Sequence, residues 1–185
     1  MTDIDGWVAS TTREIGTRSI TSGTGHSVRI RRGFPAPLDE VWDACTTRER
    51  VSLWFLPVTG DLRIGGKYQL ETYAEGEILR CTAPDLLSVT MDFQGLPGEA
   101  ELRLSTGDGE TVLQFEHTMA VDATAWAAVA PDIGSGWEVA LNYLATHLRG
   151  EPIDKSTFPT PEDDELGRRC KEAWTAVISA ADLAG

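Results

Sequence analysis

The sequence predicts an α+β domain in which one curved antiparallel sheet is covered by a long C-terminal helix. Two observations carry this expectation. The hydrophobic period changes from 3.6 to 2 near residue 58 and returns to 3.6 after residue 130. The composition, 18 glycines and six tryptophans in 185 residues with 41% hydrophobic side chains, suits a β-rich domain with tight turns and a real core.

The elements follow in order. Residues 1–25 are rich in Ser, Thr and Gly and read as a flexible lead-in with a short strand at 16–21. His26–Phe34 sets Val28 and Ile30 against arginines, the period of a half-buried strand. Pro35 and Pro37 stop it, and residues 37–46 open a helix with proline and acids in the first turn. Leu38, Val41, Trp42 and Cys45 share its apolar face. A second short helix covers 46–56, with Thr47 as its N-cap.

Five or six antiparallel strands come next. Tyr68, Leu70 and Thr72 share a face, and Leu87, Val89, Met91 and Phe93 alternate with Ser88, Thr90 and Asp92. A Gly-Asp-Gly turn joins the last two strands, the second of which points Leu113, Phe115 and His117 one way and Gln114 and Glu116 the other. Ile133, Trp137, Leu141, Leu144 and Leu148 then form a helical stripe ending at Gly150. Gly134 and Gly136 place its firm part from about 135 onward. After an acidic linker, Thr160-Pro161-Glu162-Asp163 starts a last helix whose stripe is Leu166, Cys170, Ala173, Val177, Ile178 and Ala181, with Trp174 at its edge. That helix docks on its own domain or on a second subunit.

The net charge of −13 argues against nucleic acid and anionic membrane surfaces as partners. The one basic run, Arg29, Arg31 and Arg32, sits in a strand pattern and reads as a solvated face. Cys45, Cys81 and Cys170 are far apart, and Cys45 and Cys81 read as small buried residues. With only three histidines, His26, His117 and His147, no metal site or cofactor is expected. The N-terminus has no signal pattern and no run is long enough to span a bilayer, so the expectation is a cytoplasmic protein without membrane insertion.

A sheet folded round a helix encloses space, and a cavity of roughly 300–1,000 Å³ is the expected scale for a ligand there. Trp54, Phe55, Tyr68, Leu70, Met91, Phe93, Phe115, His117, Trp137 and Leu141 are the candidate lining. The same aromatic side chains would equally serve a dry core. His117 reads as a polar anchor or general acid/base, or as a core histidine satisfied by nearby backbone. Glu71, Glu77, Asp92 and Glu116 fall at outward strand positions or in turns and read as solvated. Ser135 lacks the strand, acid and histidine context of a nucleophile elbow.

Pro37, Val41, Trp42, Ala44, then Trp54-Phe55-Leu56-Pro57, then Gly60-Asp61 through Gly65-Gly66 strongly resemble the START-like helix-grip superfamily (SRPBCC). The nearest branch is that of the C-terminal domain of the activator of heat-shock protein 90 ATPase. Phe115-Glu116-His117 and Gly134 to Trp137 match it too, so the resemblance spans roughly residues 26–150. It implies a helix-grip domain over 26–150, flanked by a lead-in at 1–25 and an acidic linker and amphipathic helix at 151–185. It implies binding of a small hydrophobic, aromatic or lipid-like molecule. It is also compatible with a polyketide cyclase or dehydratase using His117 as acid/base and Tyr68 as donor, or with a module whose partner is a chaperone. Self-association as a homodimer through the tail helix is a further implication of that amphipathic stripe.

Overall fold

The computed structural model describes residues 3–93, 95–155 and 160–182. Its chain order is α1 (Ile4–Ser10), β1 (Thr12–Ile20), β2 (Gly23–Phe34), α2 (Leu38–Thr46), α3 (Arg48–Trp54), β3 (Val58–Gly60), β4 (Lys67–Leu70), β5 (Ala74–Thr82), β6 (Leu86–Thr90), β7 (Gly98–Gly107), β8 (Glu110–Met119), α4 (Ala123–Leu148) and α5 (Pro161–Asp182). All eight strands form one antiparallel sheet in the order β1-β2-β8-β7-β6-β5-β4-β3. This is the helix-grip architecture, with the two short helices after the second strand.

The elements form for local reasons. The β7–β8 hairpin pairs Gly98 with Met119 through to Gly107 with Glu110, and its turn needs positive φ at Asp108 (52°) and Gly109 (81°). A bulge between Ile78 and Arg80 bends β5. Inward side chains alternate along each strand, as in Val28 and Ile30 of β2 and Ala100, Leu102 and Leu104 of β7. Burying a leucine, isoleucine or phenylalanine such as Leu113, Ile30 or Phe34 contributes about 1.5–3 kcal/mol each.

α4 is longer than its sequence suggests. Asp122 caps it, accepting from the backbone N–H of Thr124 and Ala125 at 2.9 Å each, and the helix runs on through Pro131, Gly134 and Gly136. Gly134 has a packing reason: a Cβ there would lie 2.4 Å from the Trp174 ring. Trp174 is fully buried, so it sits at the centre of the α5 stripe and not at its edge. The reason is the notch that Gly134 leaves in α4. Leu166, Cys170 and Ile178 are buried with it, Ala173 and Val177 are half-buried, and Ala181 is exposed. The stripe therefore docks on its own domain and is not left free for a second copy. Thr160 and Asp163 cap α5 reciprocally, and Tyr143 Oη donates to Asp163 Oδ2 at 2.8 Å. Part of the preceding linker, 156–159, lies outside the described residues.

The N-terminal segment is built into this arrangement. Where a flexible lead-in with a short strand at 16–21 was expected, α1 and a longer, nine-residue β1 over Thr12–Ile20 are present. Glu138 of α4 is completely buried and holds them. Its carboxylate accepts from Arg13 Nε and Nη2 (2.7 Å each), Trp174 Nε1 (2.7 Å), Trp7 Nε1 (3.3 Å) and Cys170 Sγ (3.3 Å). Arg32 lies 3.5 Å over the Trp7 ring and donates to Trp7 O, Ser10 Oγ and Thr11 Oγ1, so it is not a solvated strand residue. Burial pulls its pKa down to about 10.

The convex face also departs from expectation. Glu116 is buried, because Ser27 Oγ donates to it at 2.8 Å and Arg29 and Arg18 approach it. The turn after β1 folds over the same face, with Thr21 N–H and Oγ donating to buried Glu99 at 2.7 and 2.6 Å. Arg18, Arg80 and Arg103 surround Glu101. A buried carboxylate persists only with such partners.

Candidate functional site

The concave face of the sheet and the inner face of α4 do not meet everywhere. Between them, with α2 and α3 at one end, lies a cavity of about 200 Å³. Its walls include small side chains, Ala100 on β7 and Ala140 on α4, where larger ones would have closed the gap. It is smaller than the expected 300–1,000 Å³ because aromatic rings occupy part of the space. Trp137 lies 4.3 Å from Phe115, 5.6 Å from Phe55 and 6.2 Å from Tyr73, ring centre to ring centre.

Of the residues anticipated from sequence, Trp54, Phe55, Tyr68, Leu70, Met91, Phe115, Trp137 and Leu141 line the cavity. Phe93 and His117 do not. Phe93 packs on Tyr73 (5.1 Å), one layer further out, because β6 ends at Thr90 and the strand period no longer governs residue 93. Residues that the sequence reading passed over include Ala100, Leu102, Val89 and Ile78. The period-2 alternation of β5 to β7 is the signal that could have found them. Cys45 and Thr46 at the end of α2 and Cys81 and Leu87 on the β5–β6 hairpin also contribute. Cys81 is exposed, correcting its expected burial, because it stands one residue from the end of β5, at the hairpin end of the sheet.

The lining is almost free of available polar groups. Trp54 Nε1 donates to Ala44 O at 2.9 Å, and Trp137 Nε1 to His117 Nδ1 at 3.0 Å. Thr46 Oγ1 donates to Trp42 O at 2.8 Å. Tyr68 Oη donates to Thr90 O at 2.8 Å, so its single proton is committed to the β6 backbone, and burial pushes its pKa up. The Cys45 thiol is pushed up to about 12 by burial, which leaves it a protonated, weakly polar wall group.

His117 sits behind Trp137, buried, its ring perpendicular to the indole. Burial lowers its pKa to about 4, so it is neutral near pH 7. An indole N–H can only donate, so Nδ1 is the acceptor and the imidazole proton resides on Nε2. The histidine is thus held by an indole and not by backbone. Tyr68 therefore has no free proton for a cyclase-like pair, and the one ring atom of His117 without a protein partner is Nε2. Ser135 Oγ donates to Asp132 O, a helix-internal bond. Among the described residues no group of three His, Cys, Asp or Glu is placed to hold a metal ion, and no helix is long and apolar enough to cross a membrane.

A bent sheet gripping a long helix over an apolar hollow defines a START-like helix-grip domain. The chain belongs to the family described as Activator of Hsp90 ATPase homolog 1-like protein, which matches residues 35–149. Among solved structures, CalU16 from Micromonospora echinospora is 37% identical over 91% of this chain and 98% of its own, with a TM-score of 0.79. That coverage exceeds the family match and so reaches into the terminal segments. DynU16, a protein in the dynemicin biosynthetic locus, is 25% identical over 68% of this chain and 48% of its own, with a TM-score of 0.61. The Aha1 dimer from Colwellia psychrerythraea shares the fold at 16% identity, covering 66% of this chain and 95% of its own (TM-score 0.54). No curated protein matches.

Proposed function

We propose that this protein binds a small, largely apolar molecule in the cavity between the sheet and α4. The observation that carries the reading is a hollow of about 200 Å³ whose indole and phenol donors are all turned onto protein acceptors. An apolar cavity of about 150 Å³ is enough to take a benzene-sized guest. One fused two-ring molecule is therefore the natural scale here. Burial of its surface, at about 25 cal/mol per Å² before ordering costs, supplies the driving force. A relative in a biosynthetic locus fits a small-molecule partner.

The test is direct titration with indane, read by the indole N–H resonances of Trp54 and Trp137. Saturable shifts that vanish when the cavity is filled by Ala140→Leu support the reading. A protein whose spectrum does not respond to indane or to any one- or two-ring hydrocarbon refutes it.

A further inference from the structure

Three features stand outside the cavity reading: the buried Glu138 cluster, the acidic groove by Glu75, Glu77 and Asp92, and the free nitrogen of His117. The first is explained by the docking of the termini, and the second is a group of carboxylates without a further observation. The third leads further.

The concave face of β7 begins with two positions of minimal side chain, Gly98 and Ala100. Ala100 is the cross-strand partner of His117, and both project to the concave side. Gly98 leaves Nε2 uncovered on that side: a Cβ built there would stand 3.4 Å from Nε2, and also 2.6 Å from Thr118 O and 3.2 Å from Met91 O. Met91 pairs with Gly98 through its backbone, donating to Gly98 O at 2.8 Å, and its flexible thioether lines the cavity. His117 is thus tied to two residues of the cavity wall, Ala100 as its cross-strand partner and Trp137 through Nδ1, and its Nε2 stands by Gly98, to which Met91 of the wall is bonded. His117 is 3% exposed, and Nε2 has no protein partner. The other buried side-chain atoms in that condition belong to Arg18, Arg29 and Thr118, on the convex face. Among the described residues, the concave face therefore holds one buried side-chain donor without a protein partner, on a residue next to Ala100 and Trp137 of the cavity wall. An unpaired buried N–H costs far more than a paired one, which favours any guest that supplies the missing acceptor.

We infer that the ligand is an apolar ring system bearing one hydrogen-bond acceptor, a carbonyl or ether oxygen, which accepts from His117 Nε2–H beside the Ala100 and Trp137 wall of the cavity. This rests on the cavity reading above and narrows its ligand class. Trp137 acts as a positioning residue, since its N–H fixes the tautomer that leaves Nε2 protonated. Met91 is the side chain that moves aside to admit the oxygen.

A matched pair of probes separates this inference from the reading it rests on. Indane and 1-indanone share a skeleton and differ by one carbonyl oxygen. In a purely apolar cavity the ketone binds more weakly, because its oxygen loses water without replacement. With the His117 donor it binds about tenfold more tightly than indane, the scale of one buried hydrogen bond. His117→Phe should abolish that preference, the two probes then binding in the order expected of a purely apolar cavity. Should His117→Phe not fold, long-range 1H–15N spectra of the unaltered protein decide: the Nε2 proton must move downfield with 1-indanone and stay put with indane. Equal affinities, or indane the tighter, overturn the inference and leave the cavity reading standing. A ketone preference that survives His117→Phe, or a His117-bound water that persists in a crystal structure with 1-indanone, also overturns it. Binding of neither probe overturns both.

Discussion

Arg13 and Glu138 form a two-pronged ion pair in which Nε and Nη2 each lie 2.7 Å from a different carboxylate oxygen, with both side chains almost wholly out of water. Residues 125 positions apart thereby fasten the first strand to the helix that roofs the cavity. The energetic weight of this pair lies in what its loss leaves behind. A lone buried carboxylate is far worse off than one in solvent.

Arg13→Ala should therefore destabilise the protein by roughly 3–5 kcal/mol in urea or guanidinium unfolding. Arg13→Ala combined with Glu138→Gln should recover part of that loss, because the neutral amide still accepts an indole N–H. A single-variant loss below about 1 kcal/mol, the worth of an exposed pair, would show that the cluster is solvated.

Gly134 and Trp174 make a second, steric prediction. A methyl group at 134 collides with the indole at 2.4 Å, and neither α4 nor the buried ring has freedom to yield. Gly134→Ala should cost about 1–3 kcal/mol despite its better helix propensity. Trp174→Ala alone should cost about 3–5 kcal/mol. The double variant should be more stable than the sum of the two losses implies, measured as a double-mutant cycle.

The depressed pKa of His117 gives a pH signature. In the unfolded chain the ring titrates near 6.5, in the folded protein near 4. Between those values the unfolded state binds more protons, so stability falls as pH drops from 6.5 to 4 and is flat below. The histidine's share of that fall is about 3 kcal/mol. His117→Gln keeps an acceptor for Trp137 but does not titrate, so its stability curve over this window should be shallower than that of the natural protein. Parallel curves would mean that the ring is solvated and ordinary.

Probe binding should be insensitive to ionic strength. The cavity lining presents no charged side chain, so screening has little to act on. Indane affinity should change less than about twofold between 0.05 and 1 M salt, where the Debye length shortens several-fold. A steep loss with salt would place the probe on the acidic surface instead.

The sequence was most informative where structure is local. The period of residues 38–46 places Val41 and Trp42 in the core, and the Gly-Asp-Gly turn gives the β7–β8 hairpin. The aromatic wall was legible from alternation and the Trp54-Phe55 helix end. What escaped is long-range. Glu116 reads as a solvated charge and Glu138 draws no reading at all, because nothing near them in sequence reveals the arginines from β1 and β2 that neutralise them. The N-terminal strand has only Ile15 and Ile20 to mark it, since an edge strand needs little apolar alternation. Trp174 looked peripheral because its pocket is an absence of atoms at Gly134. At residue 93 the period misled, because the strand had already ended.

The placement of the three sulfhydryls has a practical outcome. Cys170 is locked against Glu138 and Cys45 faces the oily interior, both with protonation strongly favoured, whereas Cys81 stands in water and also lines the hollow. A maleimide dye should thus tag Cys81 alone, without any residue being replaced. Its emission would then signal the arrival of guests beside that thiol.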